Sequence, residues 1–181
     1  MRKISIVYLL FIFILLVSVL TTGAQWLKTS TNSGNYFATL SSWPGSIKIN
    51  EIMANPAGAD AAPMPLGEWV ELYNSSSSSV DVAGYTILDA DSHSITISVA
   101  NVSTGSTVIA AGGWLAVYRN GDGSFSLNND GDTVVLKNTL GNNIDTYTYV
   151  GTSEDLTWSK IPDGVGGWFS DRTPTPGSQN L

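Results

Sequence analysis

Two glutamates are the residues of this chain whose placement first suggests chemistry: Glu51 in SIKINEIM and Glu71 in EWVELYN stand at like places in two early apolar-rich segments. Paired carboxylates can share acid and base work, as in glycoside hydrolysis, or can hold a cation. The competing reading has each accept hydrogen bonds from backbone, Trp or Tyr donors, and nothing else in the sequence supplies a substrate pocket around them. Asp89 and Asp91 form a second acidic pair. Ca²⁺ takes about six or more oxygens, so two spaced acids are too few and a solvated turn is expected there. The most acidic stretch, RNGDGSFSLNNDGDTVVL, carries Asp122, Asp130 and Asp132 among Asn120, Asn128 and Asn129. Counted as an EF-hand loop from Asn120, it places Phe125 where the sharp turn needs Gly and offers no closing Glu. Asn and Asp beside Gly are the ordinary chemistry of tight turns. His93 makes a Ser-His-Asp triad formally available, but no GxSxG elbow positions a serine. No catalytic, metal-ligating or cofactor-binding residue is therefore assigned, no cofactor is expected, and the chain is read as non-enzymatic.

The elements that would position these side chains read as short strands. With 18 glycines, many Ser, Thr and Asn, and only 13% charged residues among 181, the composition suits strands joined by tight turns, in one folded domain. After the Pro44-Gly45 break, period-two alternation in SIKINEIM puts Ile47, Ile49 and Glu51 on one face and Lys48, Asn50 and Ile52 on the other. The Ala, Pro and Gly stretch from Ala57 to Gly67 cannot propagate a ladder and is expected to be an exposed loop. In EWVELYN, Val70 and Leu72 alternate with Trp69, Glu71 and Tyr73, so both faces of that strand carry large side chains. VDVAGYTILDAD supplies a strand through Gly84 to Leu88, and SITISVANVS another. The glycines after Ile109 let the chain re-enter as the strand Trp114 to Tyr118. Thr133 to Lys137 and Ile144 to Tyr149 read as a hairpin and as the last two strands. The tail beyond Trp158 is expected as an extended strap whose Trp158 and Trp168 plug an end of the core; surface aromatics would instead suggest glycan binding. The core reading is taken for Trp69, Trp114 and Trp158. Two sequons, at Asn74 and Asn101, fall at predicted loops or strand ends.

INEIMANP, EWVELYN, VDVAGYTILD, AAGGWLAVY, GDTVVL and the closing TPTPGSQN occur here in that order, from Ile47 to Asn180. In that order they resemble the bacterial and archaeal lamin-tail domain. The resemblance implies an all-β, immunoglobulin-like β-sandwich over residues 46-181 and a binding or surface-display role. Lamin-tail domains are also appended to secreted nucleases and phosphatases, which makes an accessory domain of a secreted hydrolase a further reading, although no catalytic domain lies within these residues.

A net charge of −7 disfavours contact with a phosphate backbone, so nucleic acid is not an expected partner. The absence of cysteine leaves packing to hold the fold. At the N-terminus, Arg2 and Lys3 precede an apolar run from Ile4 to Leu20 and a small-x-small site at Thr22-Gly23-Ala24, which predicts a hydrophobic signal helix cleaved before Gln25. The same run, residues 4-20, sits at the lower limit for crossing a hydrocarbon core of ~30 Å, so residues 1-24 are a signal peptide or a membrane anchor. Residues 25-45 form a polar extended linker. Within it Trp26, Lys28 to Ser33 and Gly34 to Phe37 resemble the segment that follows the signal peptide in camelysin and biofilm-matrix fibre proteins, departing from it at Lys28, where an acidic residue is usual. That resemblance implies a dedicated signal peptidase and strand donation from residues 25-43 to the next copy in a filament; the alternative is a plain tether. Secreted or cell-surface location follows as the expectation, with cell-envelope proteins, glycans or further copies of the chain as partners.

Overall fold

The computed structural model describes residues 45–181, so the leader and all of the linker except Gly45 lie outside the described residues. Eleven strands are formed: β1 (Ile47–Met53), β2 (Trp69–Asn74), β3 (Val80–Asp81), β4 (Thr86–Leu88), β5 (Ser94–Thr96), β6 (Val108–Ile109), β7 (Trp114–Tyr118), β8 (Gly131–Lys137), β9 (Asn143–Val150), β10 (Thr157–Ile161) and β11 (Gly167–Arg172). There is no α-helix among the described residues. A five-stranded sheet runs β11-β10-β1-β2-β7, a four-stranded sheet β5-β4-β8-β9, and β3 pairs with β6 alone. All pairings are antiparallel.

One apolar core joins the sheets. Ile49, Ile52, Val70, Leu72, Leu115 and Val117 meet Ile87, Ile95, Val134, Leu136 and Tyr149 in a single buried cluster, as expected of an immunoglobulin-like sandwich. Between the outer strands β9, β10 and β11, Tyr147 stacks on Trp168 with ring centroids 3.8 Å apart and lies 6.0 Å from Trp158. These rings pack against the core, so Trp158 and Trp168 plug the sandwich as read from the sequence. Trp168 also lies under Lys160 Nζ, 5.5 Å from its centroid.

Three sequence expectations need correction. First, β1 does not keep period two: its register with β2 shifts between Ile49 and Glu51, and this bulge at Asn50 returns Ile52 to the core while turning Glu51 to the opposite face. Second, VDVAGYTILD is broken into β3 and β4, which belong to different sheets. Gly84, at φ +75°, makes the turn between them, a conformation in which a Cβ would be strained. Third, β8 and β9 are a hairpin but not the last strands. β10 inserts beside β1 and carries β11 with it, so only residues after Arg172 remain a strap. Asn74 does lie at a strand end, as expected: it closes β2 fully buried, its Nδ2 donating to the carbonyls of Ser78, Ile109 and Ala110. Asn101 is half-buried and organises its own turn by accepting from Ser98 N and donating to Thr96 O.

Candidate functional site

The bulge at Asn50 builds the most concentrated polar site of the described residues. Beyond it, Glu51 stands directly opposite Glu71 on β2 and Ser159 on β10, on the face of the five-stranded sheet turned away from the core. The two glutamates that looked alike in sequence are therefore brought side by side, and both are fully buried. Asn50 sits between them and the chain's end. Its Nδ2 donates to Glu71 Oε1 at 3.1 Å and to Asp163 Oδ1 at 3.0 Å, its Oδ1 accepts from Gly164 N, and its carbonyl accepts from Asn180 Nδ2.

The C-terminal strap lies on this row with a regular pattern. Three strap amides each donate to a different carboxyl group: Thr175 N to Glu51 at 3.2 Å, Gly177 N to Glu71 Oε2 at 2.6 Å, and Asn180 N to Asp163 Oδ1 at 3.2 Å. Hydroxyls complete the set, since Glu51 also accepts from Thr157 at 2.7 Å, from Ser159 at 3.1 Å and from Thr175 Oγ1 at 3.0 Å. Every donor here is neutral. Burial raises Glu51 above its ordinary value against the pull of these hydrogen bonds. Burial likewise pushes Glu71 up to about 8, opposed by Asn50 and Gly177 and reinforced by the nearby charges of Glu51 and Asp163. Chemically the row is a clasp: its oxygens already hold donors from β10 and the strap, and a substrate would have to displace them.

A third buried glutamate was not singled out from the sequence. Glu68, just before β2, is fully buried; its Oε2 meets Arg119 Nη1 at 3.0 Å and its Oε1 accepts from Leu127 N at 3.2 Å. Burial lifts it to about 7 although the Leu127 amide and Arg119 pull it down. The signal was available only through register: Trp69 pairs with Tyr118, which sets the residues flanking them, Glu68 and Arg119, at the same end of β2 and β7.

The remaining sequence candidates are dispersed. Asp89 is buried and accepts from His93 N, from the His93 ring at 3.3 Å and from Ser126 N, whereas Asp91 is exposed. His93 itself is exposed, its ring on Asp89 Oδ2. Asp122 folds its own turn, accepting from Phe125 N and Ser124 N, and those bonds hold its carboxyl below the usual range. Asp132 is buried and accepts from Ala90 N and Asn128 N, while Asp130 points to solvent. Among the described residues no three acidic or histidine side chains converge as metal ligands. A shallow polar depression of about 520 Å³ lies elsewhere, bordered by Ser94, Thr96, Asn101, Arg119 and Asp122, and no clasp residue lines it.

A family model described as Lamin Tail Domain matches residues 41–151. The match includes Asn50, Glu51 and Glu71 and ends before β10, so the half of the clasp supplied by Thr157, Asp163, Thr175 and Asn180 lies beyond it. No curated protein matches the chain.

Proposed function

The chain belongs to the lamin tail domain family, a family of non-catalytic, immunoglobulin-like modules, and from that premise we propose that it works as an exported binding or structural module of the cell surface, with cell-envelope proteins or glycans as its partners. The observation that supports this reading is the internal use of its chemistry. Glu51, Glu71, Glu68, Asp89 and Asp132 are buried and engaged by donors of the fold itself, which leaves surfaces, not a reactive cleft, for contact with other molecules. The leader read in residues 1-24 supports the location. The test is fractionation of the producing cells with an antibody to the sandwich, followed by mass analysis of the mature N-terminus. Protein beginning at Gln25 in the medium or on the surface is the expected result; full-length protein confined to the cytosol would refute export.

A second reading, a filament subunit assembled by strand donation from residues 25-43, is favoured by one edge. β9 is the longest strand and borders its sheet. Two of its backbone groups are already claimed, Thr146 N by Asp145 Oδ1 and Val150 O by Trp158 Nε1, which narrows the segment an incoming strand would use to the neighbourhood of Thr148. Light scattering on protein starting at Gln25 and at Ser46 separates the two: assembly of the longer form alone supports donation, and two monomers leave the tethered module.

A further inference from the structure

We propose that the segment from Thr173 to Leu181 is a proton-latched strap, docked on the five-stranded sheet while the Glu51–Glu71 pair keeps a proton and released when that proton leaves.

The geometry supplies the reasoning. The strap joins no sheet; after β11 ends at Arg172 it is held on the row by the three amides that each meet one carboxyl group. Its other anchors are Thr175 Oγ1 on Glu51 Oε2, the Asn180 side chain on the carbonyls of Asn50 and Lys160, and Arg172, which donates to the Leu181 carbonyl. Thr175 through Gln179 are otherwise half or fully exposed, so little apolar burial keeps the segment in place. The groups that face Glu71 from the packed elements are Glu51 on β1, Asp163 in the β10–β11 turn and Tyr118 on β7, all acidic or neutral. Lys48, across from Tyr73 on β1, and Lys160, over Trp168, form no ion pair with them; the ion pairs among the described residues are Arg119–Glu68 and His93–Asp89.

Two opposed carboxylates under a cover of neutral donors cannot both ionise without a large loss of solvation. The docked state relieves this by keeping a proton. The fold has a second relief, because lifting the strap uncovers Glu71 Oε2, the oxygen that Gly177 N caps, while Oε1 stays on Asn50. Docked, Glu71 holds its proton up to about pH 8; undocked, with Oε2 hydrated, it gives the proton up at lower pH. Opening below that pH releases at most one proton, so the opening equilibrium rises with pH by up to about tenfold per unit and levels off near pH 8.

Residue-resolved amide hydrogen exchange on the whole chain, corrected for the intrinsic pH dependence of exchange, tests this. Protection of the Thr175, Gly177 and Asn180 amides is expected to lie well below that of Val134 and Leu136 in β8. It should fall as pH rises, by up to about tenfold per unit, and flatten near pH 8. In Glu71→Gln the slope should vanish. Strap protection that is flat with pH, or that equals the protection of β8 throughout, would overturn the latch. A ¹³C titration of the Glu71 carboxyl in the unaltered protein gives a check that needs no variant. Its midpoint must coincide with the pH at which the loss of strap protection levels off, and a midpoint near ordinary glutamate refutes the proposal.

Discussion

Replacing Arg119 with Ala tests how the end of β2 and β7 is held together. The guanidinium is 10% exposed and donates to Glu68 Oε2 at 3.0 Å, to the Asp122 carbonyl at 2.8 Å and to Ser126 Oγ at 3.3 Å. Its removal leaves Glu68, with no exposed surface, holding only the Leu127 amide at 3.2 Å. Breaking a buried ion pair from one side costs about 3–5 kcal/mol, and losing the Asp122 carbonyl's donor adds about 1 kcal/mol. Protonation limits the first figure. With Arg119 present Glu68 already titrates at about 7, and loss of the cation moves it higher still. Below that pH both proteins carry a protonated Glu68 when folded, so the difference between them reflects lost hydrogen bonds, about 2 kcal/mol. Above it the wild type ionises and the variant does not, and the difference grows by about 1.4 kcal/mol per pH unit until the variant titrates too. Urea unfolding followed by tryptophan fluorescence at about pH 6 and about pH 9 measures both regimes. A destabilisation equal at the two pH values, or below about 1 kcal/mol at the higher one, would refute the buried-pair reasoning. Glu68→Gln in the same background should abolish the growth with pH.

The unaltered protein should lose stability as pH rises from about 5 to about 8. Glu71 and Glu68 have folded values raised to about 8 and about 7, so the folded state holds protons that the unfolded chain has released. For Glu71 alone the span is worth up to about 5 kcal/mol, a ceiling that strap release lowers; a urea midpoint that climbs with pH over this range would contradict it. Asn74→Ala strands the carbonyls of Ser78, Ile109 and Ala110 and should cost about 2–4 kcal/mol by thermal unfolding, whereas Asn101→Ala should cost under about 2 kcal/mol. Gly164→Ala should destabilise by about 2 kcal/mol or more. Its Cβ would lie 2.6 Å from Tyr73 Cδ1 at a φ of +69°, and circular dichroism melts report the loss. Trp168→Ala removes the ring stacked on Tyr147 and should cost about 3 kcal/mol, read as a lowered urea midpoint.

Strand identity was legible wherever alternation ran unbroken. In EWVELYN both faces are used as the pattern implies, Val70 and Leu72 in the core and Trp69 and Glu71 buried on the other side. The resemblance of Glu51 and Glu71 also led to a true adjacency, but the period-two count placed Glu51 on the wrong face. One inserted residue reverses every later assignment, and Asn50 has no local composition that marks a bulge. Sequence could not reveal the clasp partners, because the Asp163 carboxylate, the Thr175 amide and the Asn180 carboxamide meet Asn50 and Glu51 from more than a hundred positions away. β10 and β11 were hidden for a related reason. Their Pro and Gly neighbours read as coil, and pairing with β1 overrides that local preference. Glu68 and Arg119 each look like an ordinary surface charge until the Trp69–Tyr118 register joins them.

The strand order β11-β10-β1-β2-β7 sets a timetable for folding. β1 leads the described chain, yet it lies between β2 and β10 and has its polar row sealed by residues as late as Asn180. During synthesis or threading from the N-terminal end, β1, β2 and β7 can pair early while one side of β1 still lacks its neighbour. That side offers unpaired backbone and, at the bulge, Glu51 without its Thr157, Ser159 and Thr175 donors. The sheet thus closes only when the final segment arrives. A ribosome stalled shortly before β10 should hold a soluble, protease-sensitive intermediate, and the burial of two acids at the centre of the sheet waits for Thr157, Ser159 and Thr175 to arrive.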